Sequence, residues 1–89
     1  MMYPYMILKD ETEIVHSHII KENGIEKVIV HFERPTEKGF DSARCELPGY
    51  KWTMKQGYSE QEIADFEILL HSNAYLFFEY AASGGIHTK

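Results

Sequence analysis

The stretch EIVHSHIIKENGIEKVIVHFE, residues 13–33, decides the fold, because two β-branched runs flank Asn23-Gly24. Asn-Gly between alternating apolar runs is the strongest short-range signal for a two-residue type I′ β-hairpin. A hairpin centred on this turn places Lys21 opposite Glu26, a cross-strand pair of opposite charge. We therefore predict two antiparallel strands, residues 13–21 and 25–33, in a register that the turn fixes.

Continued to the ends of both strands, this register places His16 opposite His31 and Val15 opposite Phe32. Because strand side chains alternate between two faces, one face becomes apolar and the other carries the histidines. A slip of one residue would exchange the two faces. The predicted core face of the hairpin consists of Val15, Ser17, Ile19, Val28, Val30 and Phe32.

Three more strands are predicted around the hairpin. Residues 3–9 form a first strand, which Pro4 confines to an edge or to a strand start. Residues 40–47 and 50–55 form a second hairpin that turns at Pro48-Gly49. Its register is expected to pair Cys45 with Trp52, Ala43 with Met54, and Glu46 with Lys51.

The last element is predicted to be a helix with a complete start signal. Ser59 and Glu62 have the spacing of a capping box, and Tyr58 and Ile63 have the spacing of a hydrophobic staple. Apolar residues then recur at the period of a helix, which indicates one buried side. This stripe consists of Ile63, Phe66, Leu70, Ala74, Phe77 and Ala81.

Two signals bear on the length of this helix. Gly84-Gly85 predicts its end, since glycine readily adopts the left-handed conformation that closes a helix. Residues 71–73, His-Ser-Asn, either break the helix or lie within it, because Ser and Asn side chains compete for backbone hydrogen bonds. The helix is therefore long, and either continuous or broken near His71–Asn73.

These elements predict a single α+β domain over residues 1–89, with residues 83–89 as a flexible tail. The architecture is a two-layer sandwich: an antiparallel β-meander of four to five strands, with the C-terminal helix packed on one face. Besides the hairpin's own core residues, the face beneath the helix is expected to include Ala43, Cys45, Leu47, Trp52 and Met54.

Composition limits the function classes. The net charge of −5 disfavours nucleic acid and anionic membranes as partners. The single cysteine, Cys45, allows no internal disulfide, so we expect a cytoplasmic protein. The first residues lack the basic region of a secretory signal, and no apolar run approaches the roughly 20 residues that span a bilayer.

The histidines of the first hairpin form a candidate metal site. His16 and His18 share a strand face in the predicted register, His31 lies across the ladder, and Glu33 is a diagonal neighbour. Imidazole nitrogens and a carboxylate are ligands that zinc accepts. The alternatives are a half-buried strand that happens to carry imidazoles, with no cofactor, and an interface whose histidines repel when protonated.

The helix carries more apolar surface than one sheet face needs. Exposed apolar patches of that size usually mark an interface, so we predict a homodimer contact on the helix. The residues expected to form it are Leu69, Tyr75, Leu76, Phe78 and Tyr80.

The segment LPGYKWTMKQGYSEQEI, residues 47–63, resembles small antitoxins of the HicB type. In those proteins a Leu-Pro-Gly turn, a short strand, a glycine and a capped helix follow one another. The strand is longer here, and the preceding chain does not match that family's short opening, so we infer no membership. The resemblance implies an antitoxin-like role in binding a partner protein.

Standard nucleotide-binding, hydrolase and zinc-ribbon motifs are absent from the sequence. We therefore predict an interaction module that acts as a homodimer, without catalytic chemistry, by binding a protein partner. A metal-binding protein or metalloenzyme that uses His16, His18 and His31 is the alternative, and an antitoxin-like partner protein is a further one.

Overall fold

A computed structural model describes residues 2–85 of the chain. Six strands precede one helix: β1 (Met2–Ile7), β2 (Glu13–Ser17), β3 (Ile20–Glu22), β4 (Ile25–Thr36), β5 (Gly39–Leu47), β6 (Lys51–Gln56) and α1 (Glu60–Ser83). Of the predicted tail, residues 86–89 lie outside the described residues.

The strands form an antiparallel sheet in the order β1-β2-β4-β5-β6, and β3 pairs with β4 beyond the end of β2. The helix packs on one face of this sheet, where the buried residues of both layers form one core. The α+β fold class, the antiparallel meander and the two-layer arrangement predicted from the sequence are confirmed.

The Asn23-Gly24 turn forms as predicted. Asn23 and Gly24 both have positive φ, at 52° and 78°, as a type I′ turn requires. Lys21 lies opposite Glu26 in the predicted register. The turn therefore fixes the register of β3, the strand segment next to it.

Beyond β3 the register shifts by one residue. Ile20 is still opposite Lys27, but His16 is opposite Val30, so residues 17–19 face only residues 28–29. Such an extra residue is a β-bulge. The Ser17 hydroxyl stabilises it by accepting a hydrogen bond from the Ile29 amide at 2.9 Å and donating one to the His18 carbonyl at 2.8 Å.

The bulge exchanges the two faces of β2. Ile14 and His16 are fully buried in the core, whereas Val15 lies on the other side of the sheet, opposite His31. The predicted pairs His16–His31 and Val15–Phe32 are therefore wrong, and so is the placement of Val15 in the core. The physical reason is the strand period of two, which turns a one-residue insertion into a change of face.

Two other strand pairs also contain a register shift. In β5–β6, Cys45–Trp52 and Glu46–Lys51 pair as predicted, but Ala43 lies opposite Lys55. The predicted Ala43–Met54 pair is wrong, because the shift next to Arg44 moves Met54 to the face that points away from the helix. The pairing of β1 with β2 shifts between Pro4 and Met6.

The helix begins and ends where the sequence predicts. Ser59 and Glu62 form both hydrogen bonds of the capping box, and Gly84 closes the helix in the left-handed conformation. Asn73 does not break it, because its Nδ2 donates to the Leu69 carbonyl one turn earlier while its Oδ1 accepts from the Tyr5 hydroxyl at 2.6 Å. The helix is continuous.

Aromatic contacts join the two layers. Phe32 stacks on Phe66 with ring centroids 4.2 Å apart, and Tyr5 lies 4.3 Å from Phe77. The Trp52 indole donates to Glu67 at 2.7 Å, which ties β6 to the helix. The buried apolar core comprises Ile14, Val28, Val30, Phe32, Ala43, Cys45, Leu47, Ile63, Phe66, Leu70, Phe77 and Ala81.

Paired substitutions at neighbouring positions test the register of β2. Ile14→Thr should lower the free energy of unfolding by about 2–3 kcal/mol, because it removes buried methyl groups and buries a hydroxyl. Val15→Thr, on the other face, should cost less than about 1 kcal/mol since threonine suits a half-exposed strand position. Urea denaturation measures both. A larger loss at Val15 than at Ile14 would contradict the bulge.

Candidate functional site

The structure does not bring the predicted metal ligands together. His16 is buried beneath the helix, His18 is exposed at the bulge, and His31 and Glu33 lie on the opposite side of the sheet. Within residues 2–85 no group of three or more His, Cys, Asp or Glu side chains is arranged to hold a metal ion. The metal hypothesis required His16 to lie opposite His31, and the bulge excludes that pairing.

His16 lies instead in an aromatic cluster. Its ring centroid is 5.6 Å from Tyr3, 6.4 Å from Tyr5 and 5.7 Å from Phe77. The Nδ1 atom is 2.8 Å from the Ser17 carbonyl oxygen, so Nδ1 carries the proton and donates it. The Nε2 atom is buried and has no hydrogen-bond partner among residues 2–85.

This environment keeps the imidazole neutral. Burial lowers the pKa of His16 and outweighs the opposing effect of the Ser17 hydrogen bond. A proton on Nε2 would place an uncompensated charge among three rings. His16 therefore stabilises the bulge as a neutral hydrogen-bond donor. Its Nε2 atom is buried and is not accessible to a ligand.

A charge cluster around Arg34 joins four parts of the fold. Arg34 donates from Nε and Nη2 to Asp41 at 2.9 and 2.7 Å, and from Nη1 to Asp10 at 2.9 Å and to Glu62 at 2.6 Å. Its guanidinium also lies 4.7 Å from the centre of the Tyr58 ring. One cation thus connects the β1–β2 turn, β4, β5 and the first turn of the helix.

Hydrogen bonds from Arg34 help to lower the pKa values of two of these carboxylates. Hydrogen bonds from Arg34 and the Ser59 amide lower the pKa of Glu62. Burial acts to raise the pKa of Asp10, but hydrogen bonds from Thr12 and Arg34 outweigh it and hold that pKa below its usual value. Because three carboxylates surround the guanidinium, Arg34 stabilises the contacts between the segments that carry them.

Sequence reasoning missed this cluster, since Arg34 directly follows the strand predicted over residues 25–33 and no motif includes it. Its partners lie 24, 7 and 28 residues away along the chain. Only Glu62 carried a local signal, through the capping box. The charge network depends on tertiary contacts between residues that are distant in the chain, so a short sequence motif cannot predict it.

Cys45 is buried opposite Trp52 in the sheet. Burial raises the pKa of its thiol to about 12, and the charges of Glu67 and Glu46 act in the same direction. A thiol in this state is a small apolar side chain rather than a nucleophile.

The side of the sheet that points away from the helix is here called the open face. The strand registers place on it the exposed or half-buried residues Pro4, Ile7, Glu13, Val15, Ile20, Glu22, Ile25, Lys27, Ile29, His31, Glu33, Pro35, Phe40, Ser42, Arg44, Glu46, Lys51, Met54 and Gln56. At one end Ile7 and Phe40, 69% and 61% exposed, lie in a groove that Glu11, Glu13 and Glu33 line.

The predicted helix interface is divided between the core and the solvent. Leu69 and Phe78 are partly buried and pack against the core. Leu76 and Tyr80 are half-buried, and Tyr80 lies 6.1 Å from the Tyr5 ring. Tyr75 is the exposed member of this set. Packing within the chain thus uses part of the apolar helix surface that suggested a dimer contact.

Comparison of the chain with family models, with curated proteins and with solved structures finds no match in any of the three. In the part of the chain that the structure describes, no helix has the length and apolar character needed to cross a membrane.

The buried imidazole predicts a pH-dependent stability. Because the folded state lowers the pKa of His16, the unfolded chain takes up a proton first as the pH falls below about 6.5, and the free energy of unfolding decreases. The pKa of His31 is also lowered, by burial and by Arg44, and contributes with the same sign. His16→Leu should therefore flatten part of the decrease between pH 7 and 5 in urea denaturation.

His18→Leu is the matched control, since it removes an exposed histidine two positions along the chain. It should retain the pH profile of the parent protein. Parallel profiles for the parent and His16→Leu would show that proton uptake occurs elsewhere.

Replacement of Arg34 tests the charge cluster. Arg34→Met should lower the free energy of unfolding at pH 7 by about 1–2 kcal/mol, because three partly exposed carboxylates lose their common cation. The pKa values of Asp10 and Glu62 are lowered in the fold, so their stabilising effect is present at neutral pH and lost in acid. The deficit of the variant should therefore shrink between pH 7 and 3.

Lys38→Met, which removes a cation with no ion-pair partner among residues 2–85, is the control and should change stability little. A deficit of Arg34→Met that stayed constant with pH would assign the loss to packing rather than to charge.

Proposed function

We propose that the protein is a small interaction module that acts as a homodimer and binds a protein partner without catalytic chemistry. The observation that carries the proposal is the number of large apolar side chains left exposed on so small a domain. They are Met2, Met6, Ile7, Ile25, Phe40, Ile68 and Tyr75. Three of them, Ile7, Ile25 and Phe40, lie on the open face of the sheet, and apolar side chains grouped on one surface usually mark a binding site.

The roles of the reactive side chains support the same proposal. His16 holds a bulge, Cys45 packs in the core, and Arg34 is enclosed by carboxylates. Each of these groups is engaged in holding the fold, whereas the exposed surface is rich in apolar and charged side chains suited to contact with another chain.

We place this function in the cytoplasm. Cys45 is a free thiol in the structure, and the chain contains no other cysteine with which it could form an internal disulfide. A domain that folds without disulfides suits a reducing compartment.

Light scattering coupled to size exclusion tests the dimer. At tens of micromolar the protein should elute with twice its chain mass of 10.4 kDa, and dilution should shift it towards the monomer. A constant single-chain mass across that range would rule out the homodimer.

A further inference from the structure

We propose that Asn23 is a site of spontaneous covalent modification, at which its side-chain amide is lost as ammonia and the main chain is rebuilt through the side chain. The product releases β3 from β4, while the bulge keeps β2 in place. This inference does not depend on the proposed homodimer or on its partner, because the reaction needs only this chain and water. Three observations carry it: the reacting groups are unengaged, the turn is exposed, and different contacts hold β3 and β2.

The two groups that react lie next to each other at the tip of the first hairpin. The Asn23 side chain forms no hydrogen bond with any residue from 2 to 85, and neither does the main-chain amide of Gly24. Both residues are exposed. Apart from its two chain neighbours, no described residue has an atom within 4 Å of a β-carbon built on Gly24. The Gly24 nitrogen is therefore open to water and adjacent to the Asn23 carboxamide.

The reaction is an intramolecular acyl transfer, which the proximity of the two groups favours. The Gly24 nitrogen gives its proton to hydroxide and forms a bond to Cγ of Asn23. The bond between Cγ and Nδ2 breaks, and Nδ2 takes a proton from water and leaves as ammonia. Water then opens the five-membered imide: attack at Cγ gives aspartate, and attack at the main-chain carbonyl gives isoaspartate. In sum, one water molecule is consumed and one ammonia is released.

The local structure permits ring closure. Glycine has no β-carbon to obstruct the approach of its nitrogen to Cγ. The turn must leave its closed conformation, in which φ is 52° at Asn23 and 78° at Gly24. It can do so because β3 forms only three residue pairs with β4, and β5 pairs with β4 only from Val28 onward. A short two-stranded ribbon of this kind is marginally stable.

Asn73, the other asparagine of the chain, lacks these features. Its Nδ2 donates to the Leu69 carbonyl at 2.8 Å, and its Oδ1 accepts from the Tyr5 hydroxyl at 2.6 Å. The next residue, Ala74, carries a β-carbon, and its amide lies inside the continuous helix, where main-chain amides are hydrogen-bonded. The fold therefore directs the reaction to Asn23.

The isoaspartyl product is incompatible with the turn. It adds one carbon to the main chain, whereas a two-residue type I′ turn closes only with one set of dihedral angles. Both products also add a carboxylate between Glu22 and Glu26, where like charges repel. The ion pair that remains, Lys27 to Glu22 at 3.0 Å, is largely exposed and stabilises β3 little. We therefore expect β3 to separate from β4.

The contacts that hold β2 do not involve the turn. The Ser17 hydroxyl accepts from the Ile29 amide at 2.9 Å, and His16 Nδ1 lies 2.8 Å from the Ser17 carbonyl oxygen. Ile14 and His16 are fully buried in the core. In an uninterrupted hairpin the turn would set the register of the whole ribbon. Here the bulge at residues 17–19 separates the turn from the sheet.

Incubation of the folded protein at neutral pH and body temperature, followed by peptide mapping with mass spectrometry, measures the reaction. The segment with Asn23 should gain about 1 Da and accept isoaspartyl-specific methylation. It should react at least about tenfold faster than the segment with Asn73, which must first unfold locally. Equal rates at the two asparagines would overturn the assignment.

A synthetic peptide of residues 20–27 gives the rate without a fold. The folded protein should react within about tenfold of that rate, because three residue pairs protect the turn little. A folded protein that reacts more slowly than this range would show that the turn conformation protects Asn23, and would overturn the proposal.

Two variants separate the reaction from its effects. Asn23→Gly removes the reacting carboxamide and leaves Gly-Gly, which also suits a type I′ turn, so this segment should gain no mass. A mass gain that persists in it would assign the change to another residue. Freshly prepared Asn23→Asp adds the charge without lengthening the main chain, and its β3 should stay paired.

Nuclear Overhauser spectra of the isoaspartyl form, separated by anion exchange, test the structural consequence. The cross-strand contact between Lys21 and Glu26 should be lost, and the contact between His16 and Phe77 should remain. An unchanged contact between Lys21 and Glu26 would overturn the release of β3. A loss of the contact between His16 and Phe77 as well would show that the turn governs the whole ribbon, and would overturn the role given to the bulge.

Discussion

The Ser17 hydroxyl holds the bulge on which the arrangement of both layers depends. It accepts a hydrogen bond from the Ile29 amide, which has no partner on β2 where the strand pairing is interrupted. It also donates a hydrogen bond to the His18 carbonyl. The His16 imidazole caps the Ser17 carbonyl from the core side. Buried backbone groups require such partners, so these two side chains make the extra residue tolerable.

The change of face that follows determines what the helix can pack against. With His16 beneath the helix, the rings of Tyr3, Tyr5 and Phe77 close around a neutral imidazole. Arg34 fixes the other end of the helix through Glu62. The helix is thus held near its start by the charge cluster and in its second half by ring contacts of Phe77 with Tyr5 and His16.

The elements could be predicted from the sequence, but the strand registers could be predicted only next to the turns. The Asn-Gly turn, the capping box and Gly84 each act through neighbouring residues, and each forms where predicted. The position of a bulge depends on how a strand packs against the neighbouring strand and against the helix. The alternation of residues 14–19 suits both registers, because Ile14 and Val15 are equally apolar, so the pattern could not distinguish them. The candidate metal site failed for this reason, and the Arg34 cluster was missed because its members are distant in the chain.

The position of the His16 ring tests this account most directly. A nuclear Overhauser spectrum should contain cross-peaks from the His16 imidazole to the rings of Phe77 and Tyr5, and a long-range proton–nitrogen spectrum should show Nδ1 protonated and Nε2 bare. Cross-peaks that instead join the His16 imidazole to the His31 imidazole would restore the uninterrupted hairpin register and contradict the bulge.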